Sequence, residues 1–303
     1  MRHSIRSRSF STFSDRHIRD RTQMMDGRQM IRALFLDVDG TIISTRTKKI
    51  PESASEAIRK AREAGVKVFL CTSRAKQFLS NLSAIDSDGI VALTGAHCLD
   101  PQGRDIGCRP MAAEDTAAAL TDVLRRDVPV VAMSPECIFM NHPSSPQITD
   151  FLATGGLTLD DIPGGVRDIP DFLSAKDPVG LAREMDILQI TGFFPSGEED
   201  RRFLSLMPSS HTERWNERFV DIVGNGISKA IGMETMAGHF GFPMSATMGI
   251  GDGANDIPMI RRAAVGVAMG NASDDVKAAA DHVTADVDDD GLAKAVMKYV
   301  FGA

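Results

Sequence analysis

Two short, almost wholly apolar runs in this chain stop abruptly at acidic, glycine-bearing loops, and that pairing constrains the fold more than any other feature. The first, Ala33 to Leu36, runs into Asp37-Val38-Asp39-Gly40-Thr41; the second, Ala246 to Ile250, runs into Gly251-Asp252-Gly253-Ala254-Asn255-Asp256. Apolar runs of this length without polar alternation suit strands covered on both faces, as in parallel sheets flanked by helices. In such sheets ligands collect beyond the carboxyl ends of the strands, where these acids stand.

The intervening pattern supports that architecture. Pro51 opens a stretch to Ala64 with Ala54, Ala57, Ile58 and Ala61 at helical spacing, closed by Gly65, and an apolar run from Val66 to Cys71 follows. A helix over 77–85 and a strand over 90–93 continue the series. Near the end, helices over 227–240 and 257–264 alternate with strands over 246–250 and 265–269. The two pieces together predict one doubly wound parallel α/β sheet. Residues 95–221 are less regular, with a helix over 112–126 and a strand-like piece over 187–191, and are expected to form an inserted α/β domain. The expected division is 31–94 and 222–303 for the sheet and 95–221 for the insertion. Residues 1–30, rich in Arg and Ser, are expected to be a disordered tail, with a targeting peptide or an upstream start-site extension as alternatives.

Composition removes several function classes. The net charge of -7, with no Lys/Arg cluster after residue 32, argues against nucleic acid. No apolar stretch is long enough to span a bilayer. Cys71, Cys98, Cys108 and Cys137 form no Cys-x-x-Cys pair and are expected to be reduced thiols of a cytoplasmic protein; the histidines lack metal-ligand spacing, so zinc is not indicated. Asp286 to Gly291 begins like a calcium loop, but position twelve is Met297 rather than a bidentate Glu.

Four segments could carry chemistry. Asp37 and Asp39, two residues apart, can share one small site while Gly40 permits a tight turn. Thr72-Ser73-Arg74 offers hydroxyls, amides and a cation to phosphate oxygens. Lys229 is a lone cation at a helix start. Asp252, Asn255 and Asp256 add oxygen ligands for a hard cation. Each alone has an ordinary explanation as a turn, a cap or a solvated charge.

Together, in this order and after apolar strands, the four match the motifs of the haloacid dehalogenase superfamily. Within it the chain resembles the Cof-type (subfamily IIB) sugar phosphatases, most densely over 251–259, 267–272 and 280–284, and in Arg214-Trp215-Asn216 through Asp221. The resemblance implies a Rossmann-like core with a large α/β cap of type C2B and a Mg2+-dependent phosphomonoesterase working through an aspartyl phosphate. By resemblance Asp37 is the nucleophile and Asp39 the general acid/base. Magnesium is held by Asp37, the Asp39 carbonyl, Asp252 and Asp256, and phosphate is bound by Thr72, Ser73, Lys229 and Asn255. Arg74, Trp215 and Asn216 are candidate substrate contacts. Two departures, Ser73 in place of Gly and Thr94 in place of Asn, leave the acids untouched but weaken any transfer of substrate preference. Hexose phosphates lead the expected substrates, ahead of flavin mononucleotide and pyridoxal phosphate. A phosphosugar mutase and a silent sugar-phosphate sensor are the alternatives, and a monomer or weak homo-oligomer is expected.

Overall fold

The structure, a computed structural model, describes residues 24–25 and 28–303 apart from 80–81, 83–84, 195–196 and 215–216. The expected tail over 1–30 therefore lies almost entirely outside the described residues, as do Trp215 and Asn216.

Ala33–Asp37 is a central strand of an eight-stranded sheet, between Lys67–Cys71 and Thr247–Gly251 and parallel to both. Gly89–Ala92 extends the parallel sheet on one side; Val265–Ala268 and His282–Val283 extend it on the other. Every residue of the central strand is buried, which explains its unbroken apolar run. Phe35 stacks on Phe69 at 4.8 Å within one face, among Met233, Met236 and Phe242. Leu34 and Leu36 fill the other face with Ile58, Leu70, Ile250 and Leu292. The helix Glu52–Glu63 covers that second face by burying Ala54, Ala57, Ile58 and Ala61, the positions that gave its period.

The second sheet has six strands in the order Val166–Asp168, Ile138–Asn141, Val130–Met133, Gln189–Gly192, Val220–Gly224, Ser210–Glu213. All its pairings are antiparallel except the one between Val166–Asp168 and Ile138–Asn141. Val130, Ala132, Ile190 and Ile222 face a layer containing Leu120, Val123 and Phe203 of the helices Ala113–Arg125 and Glu198–Leu206. Val131, Met133 and Val223 face the opposite way, toward Ile148 and Leu152 of the helix Pro146–Thr154 and toward Ala75, Phe78 and Leu93 at the carboxyl edge of the first sheet.

Two expectations need correction. The helix expected over 77–85 is, among the described residues, a 3-10 turn over Lys76–Phe78. Its reason is tertiary: the buried Gln77 amide donates to the carbonyls of Ser134 and Pro135 at 3.4 and 3.2 Å, tying the segment to the inserted residues. The change of sheet also comes later than residue 95. His97–Leu99 and Asp105–Cys108 add antiparallel to the edge of the first sheet, and at the return Val220–Gly224 still belongs to the second.

Candidate active site

The carboxyl ends of the central strands converge at one end of a cavity of about 430 Å3 lined by residues of both sheets. Asp37, the last residue of its strand, is 7% exposed, and Asp256, on the 3-10 turn Ala254–Asp256, is buried completely. Between them lies Lys229, first residue of the helix Lys229–Phe240, whose start is capped by the Ser228 hydroxyl accepting from the Ile231 amide. Its ammonium donates to Asp37 Oδ1 and Asp256 Oδ1, each at 2.6 Å. The second oxygen of Asp256 accepts from the amides of Asp252 and Gly253 at 3.0 and 2.9 Å, so one carboxylate fixes both the cation and the loop. A β-carbon at Gly251 would lie 2.4 Å from the Asp256 carboxyl carbon, so only glycine lets the loop close this tightly.

Asp252 is held by the Thr41 hydroxyl at 3.3 Å and by Asn271 Nδ2 at 3.0 Å. The same Asn271 nitrogen donates to the Gly40 carbonyl at 2.9 Å, and its oxygen accepts from the Val287 amide at 3.0 Å. Asn271 thus joins three loops. Gly40 has φ +91°, and a β-carbon there would lie 2.2 Å from Asp252 Oδ2. The turn and the close approach both require glycine.

The electrostatics follow from this crowding. Burial, and then the charge of Asp256, push the Asp37 carboxyl well above the usual range, with Lys229 opposing. The same two causes raise Asp252 to about 6. Burial alone would lower the Lys229 pKa; the charges of Asp256 and Asp37 outweigh it, so the ammonium is held above its ordinary value. Oxygens of Asp37, Asp252 and Asp256 lie within 4.8 Å of one another, and one ammonium faces three carboxyls. Asp37 Oδ2 is buried and has no hydrogen-bond partner among the described residues. An all-oxygen cluster with excess negative charge and an orphaned carboxylate oxygen fits a hard divalent cation.

Asp39 is turned elsewhere. Its half-exposed carboxylate receives both arms of Arg74, Nε to Oδ2 at 2.9 Å and Nη2 to Oδ1 at 2.6 Å, and Arg74 Nη1 also reaches the Gly155 carbonyl of the inserted residues at 3.4 Å. Thr72, Ser73, Arg74 and Asn255 all line the cavity, and the Thr72 hydroxyl accepts from the Arg74 amide at 3.1 Å. All the expected site residues within the described chain are therefore in or around one cavity, but Asp39 is outside the carboxylate cluster. Arg214, next to the undescribed Trp215, is engaged in structure. It pairs with Asp200 and donates to the carbonyls of Phe194 and Phe219. Sequence reasoning passed over Asn271, although it too follows an apolar run, and over Gln189 and Asp221, which line the cavity from the second sheet.

Comparison with known proteins gives concordant results. Residues 34–296 match the family described as haloacid dehalogenase-like hydrolase. YkrA of Bacillus subtilis (strain 168), which carries a phosphatase name, is 28% identical over 88% of this chain and 97% of its own. YcsE of the same organism, named a 5-amino-6-(5-phospho-D-ribitylamino)uracil phosphatase, is 25% identical over 89% of this chain and 96% of its own. Among solved structures, the subclass IIB sugar phosphatase BT4131 shares 33% identity and a TM-score of 0.76 over 89% of this chain and 99% of its own. BT1666 from Bacteroides thetaiotaomicron, described among phosphatases of the same superfamily, shares 31% and 0.75 over 91% and 98%.

Proposed function

The chain belongs to the haloacid dehalogenase-like hydrolases, among their subclass IIB phosphatases, and from that premise we propose that it is a magnesium-dependent phosphomonoesterase that acts on a small phosphorylated metabolite, foremost a sugar phosphate, through a phosphorylated Asp37. The observation that carries this reading is the buried Lys229 ammonium set between Asp37 and Asp256 at the end of the cavity, with one Asp37 oxygen left without a hydrogen-bond partner among the described residues. The sugar-phosphate preference draws on the likeness to BT4131.

Magnesium, held by Asp37, Asp252, Asp256 and the Asp39 carbonyl, would supply positive charge against the anionic phosphoryl group. Asp37 attacks phosphorus, the bond to the leaving oxygen breaks, and Asp39 gives that oxygen its proton. Asp39 then takes a proton from water, whose oxygen displaces phosphate from Asp37 and restores it. Lys229, Thr72, Ser73 and Asn255 hold the transferring oxygens. Arg74 occupies both oxygens of Asp39, so the carboxyl must turn out of that fork to reach a leaving group. In this reading the inserted residues act as a cap that excludes bulk water and contacts the alcohol part of the substrate.

Phosphate release across a panel of phosphate esters, with magnesium or with chelator, tests the proposal. Release only with magnesium is expected. An isomerised sugar phosphate without free phosphate would replace the hydrolase with a mutase, and neither product would leave a sensor.

Two further results are expected. Asp37 and Asp252, both raised above the usual range, hold protons in the metal-free folded protein at pH values where the unfolded chain has lost them, Asp252 up to about pH 6. The contribution of these two groups to stability therefore falls as pH rises through their raised pKa values. Metal must displace those protons, so magnesium should raise Tm by several degrees at neutral pH and progressively less below about pH 6. Melting curves at a series of pH values check this, and an equal increment at every pH would count against the carboxylate cluster as the metal site. Asn271→Ala should weaken magnesium binding about 10–100-fold by releasing Asp252, measured by titration calorimetry; unchanged affinity would remove Asn271 from the supporting shell.

A further inference from the structure

Where the strand Gly89–Ala92 ends, three consecutive buried residues carry positive φ: Leu93 at +48°, Thr94 at +54° and Gly95 at +102°. Glycine accepts such a conformation, but leucine is disfavoured in it and a β-branched threonine is an outlier. The Thr94 hydroxyl brings no compensation. It is 1% exposed, and its Oγ1 has no hydrogen-bond partner among the described residues. Backbone strain of this kind persists only where the surroundings fix the chain, and it gathers at functional sites.

Here the surroundings are the two groups expected to hold phosphate. The Leu93 amide donates to the Arg74 carbonyl at 3.1 Å and the Thr94 amide to the Thr72 carbonyl at 3.0 Å. The Thr72 amide donates to the Val91 carbonyl at 2.8 Å, so both backbone groups of Thr72 end on this strand and its turn. Because the Thr72 hydroxyl accepts from the Arg74 amide, its own proton stays available to an oxygen in the cavity that Thr72 lines. On the other flank Gly95 lies against the start of the helix that carries Lys229. A β-carbon on Gly95 would collide with the Ser228 carbonyl, and one on Gly232 would collide with Val91. One strained turn thus stands between the loop of Thr72 and the helix of Lys229.

We propose that this turn sets the spacing between Thr72 and Lys229, and that Thr94 is a positioning residue within it. This rests on the phosphatase reading and deepens it. Two adjacent amides reach two carbonyls of one loop, and the next residue meets the helix, by keeping the chain left-handed through all three positions. A branched side chain stiffens that path. Leucine and threonine leave the chain a narrow well at positive φ, whereas glycine at position 94 would open several others and let the amide leave the Thr72 carbonyl. Thr94 is bonded to the phosphoryl end of the site, so loosening it should cost every ester the same factor.

Thr94→Gly and Thr94→Asn separate positioning from a merely structural role. Glycine relieves the strain and removes a buried unpaired hydroxyl, so Tm should hold or rise. Even so, kcat/KM should fall about tenfold, by the same factor for a sugar phosphate and for an aryl phosphate. Inorganic phosphate, titrated calorimetrically with magnesium present, should bind about tenfold more weakly. Asparagine accepts positive φ while keeping a side chain in place, so Thr94→Asn should melt no lower than wild type and keep its kcat/KM. In a Thr72→Ala background the cost of Thr94→Gly should shrink, because one of the groups it positions is gone. Unchanged kcat/KM and phosphate affinity in Thr94→Gly would overturn the proposal, as would a fall confined to one ester or an asparagine variant as slow as the glycine one. A Thr94→Gly protein that melts well below wild type would overturn it too, since the side chain would then hold the fold and not the site. If wild type releases phosphate from no ester, the hydrolase reading fails by itself, and the phosphate titration still decides whether the turn holds the anion site.

Discussion

Asp37→Asn is expected to abolish phosphate release, lowering kcat by about four orders of magnitude or more, with Tm changed by only a few degrees. The loss is large because an amide at that position can neither attack phosphorus nor be regenerated by water. The fold should survive because Asn keeps the shape of a side chain at a strand end, where the backbone is already paired to Lys67–Cys71. Lys229 also retains Asp256 at 2.6 Å. The burial that pushes the Asp37 carboxyl upward makes a neutral side chain less costly there than a charged one. Steady-state release and acid-quench trapping of phosphorylated protein check this together. Wild type should carry acid-stable phosphate during turnover and the variant none. A variant with near-native kcat would remove Asp37 as nucleophile.

Lys229→Met should damage both stability and catalysis. The ammonium neutralises two carboxylates in a nearly solvent-free place, and removing one partner of a buried ion pair costs about 3–5 kcal/mol because the remaining charge is left uncompensated. In metal-free protein this is a fall in Tm on the order of 10 °C. The deficit should shrink as pH falls and the carboxyls take up protons. Turnover should drop by about 10²–10³-fold at saturating magnesium, the usual loss when one preorganised donor to a transferring group is removed. Thermal melts across pH, with and without magnesium, check the first expectation. A pH-independent deficit would mean that the lysine stem's packing, rather than its charge, holds the helix start in place.

The site was legible in the sequence because its chemistry sits where a change of pattern is abrupt. Asp37 and Asp252 each follow a run of buried strand residues directly, and Lys229 opens a helix behind a serine cap. The inward faces of the parallel strands carry almost no polar residue, so the acids stand out. Legibility declined where tertiary contacts override local pattern. Gln77 ends its segment by bonding carbonyls more than fifty residues away, which no window around it records. The strands His97–Leu99 and Asp105–Cys108 are three and four residues long, too short for alternation to show which sheet they join. Gln189 lies in a segment that reads as an ordinary strand, and only the register across three strands puts its side chain on the same face as Asp221. Asn271 went unassigned because its importance lies in three bonds, to Gly40, Asp252 and Val287, that join segments far apart in the chain.

The sheet order has a consequence for the chain as it is made. Ala33–Asp37 emerges early from the ribosome, yet the neighbour that closes one of its edges, Thr247–Gly251, lies in the last quarter of the chain. At about 5–20 residues per second, the nascent chain carries one of its most hydrophobic strands with an open edge for roughly 10–40 s. Edges of this kind invite pairing with other chains. The six-stranded sheet is complete in sequence before Thr247 appears, so the intervening residues can fold during that interval while the acids wait for Lys229 and Asp252 to complete the site.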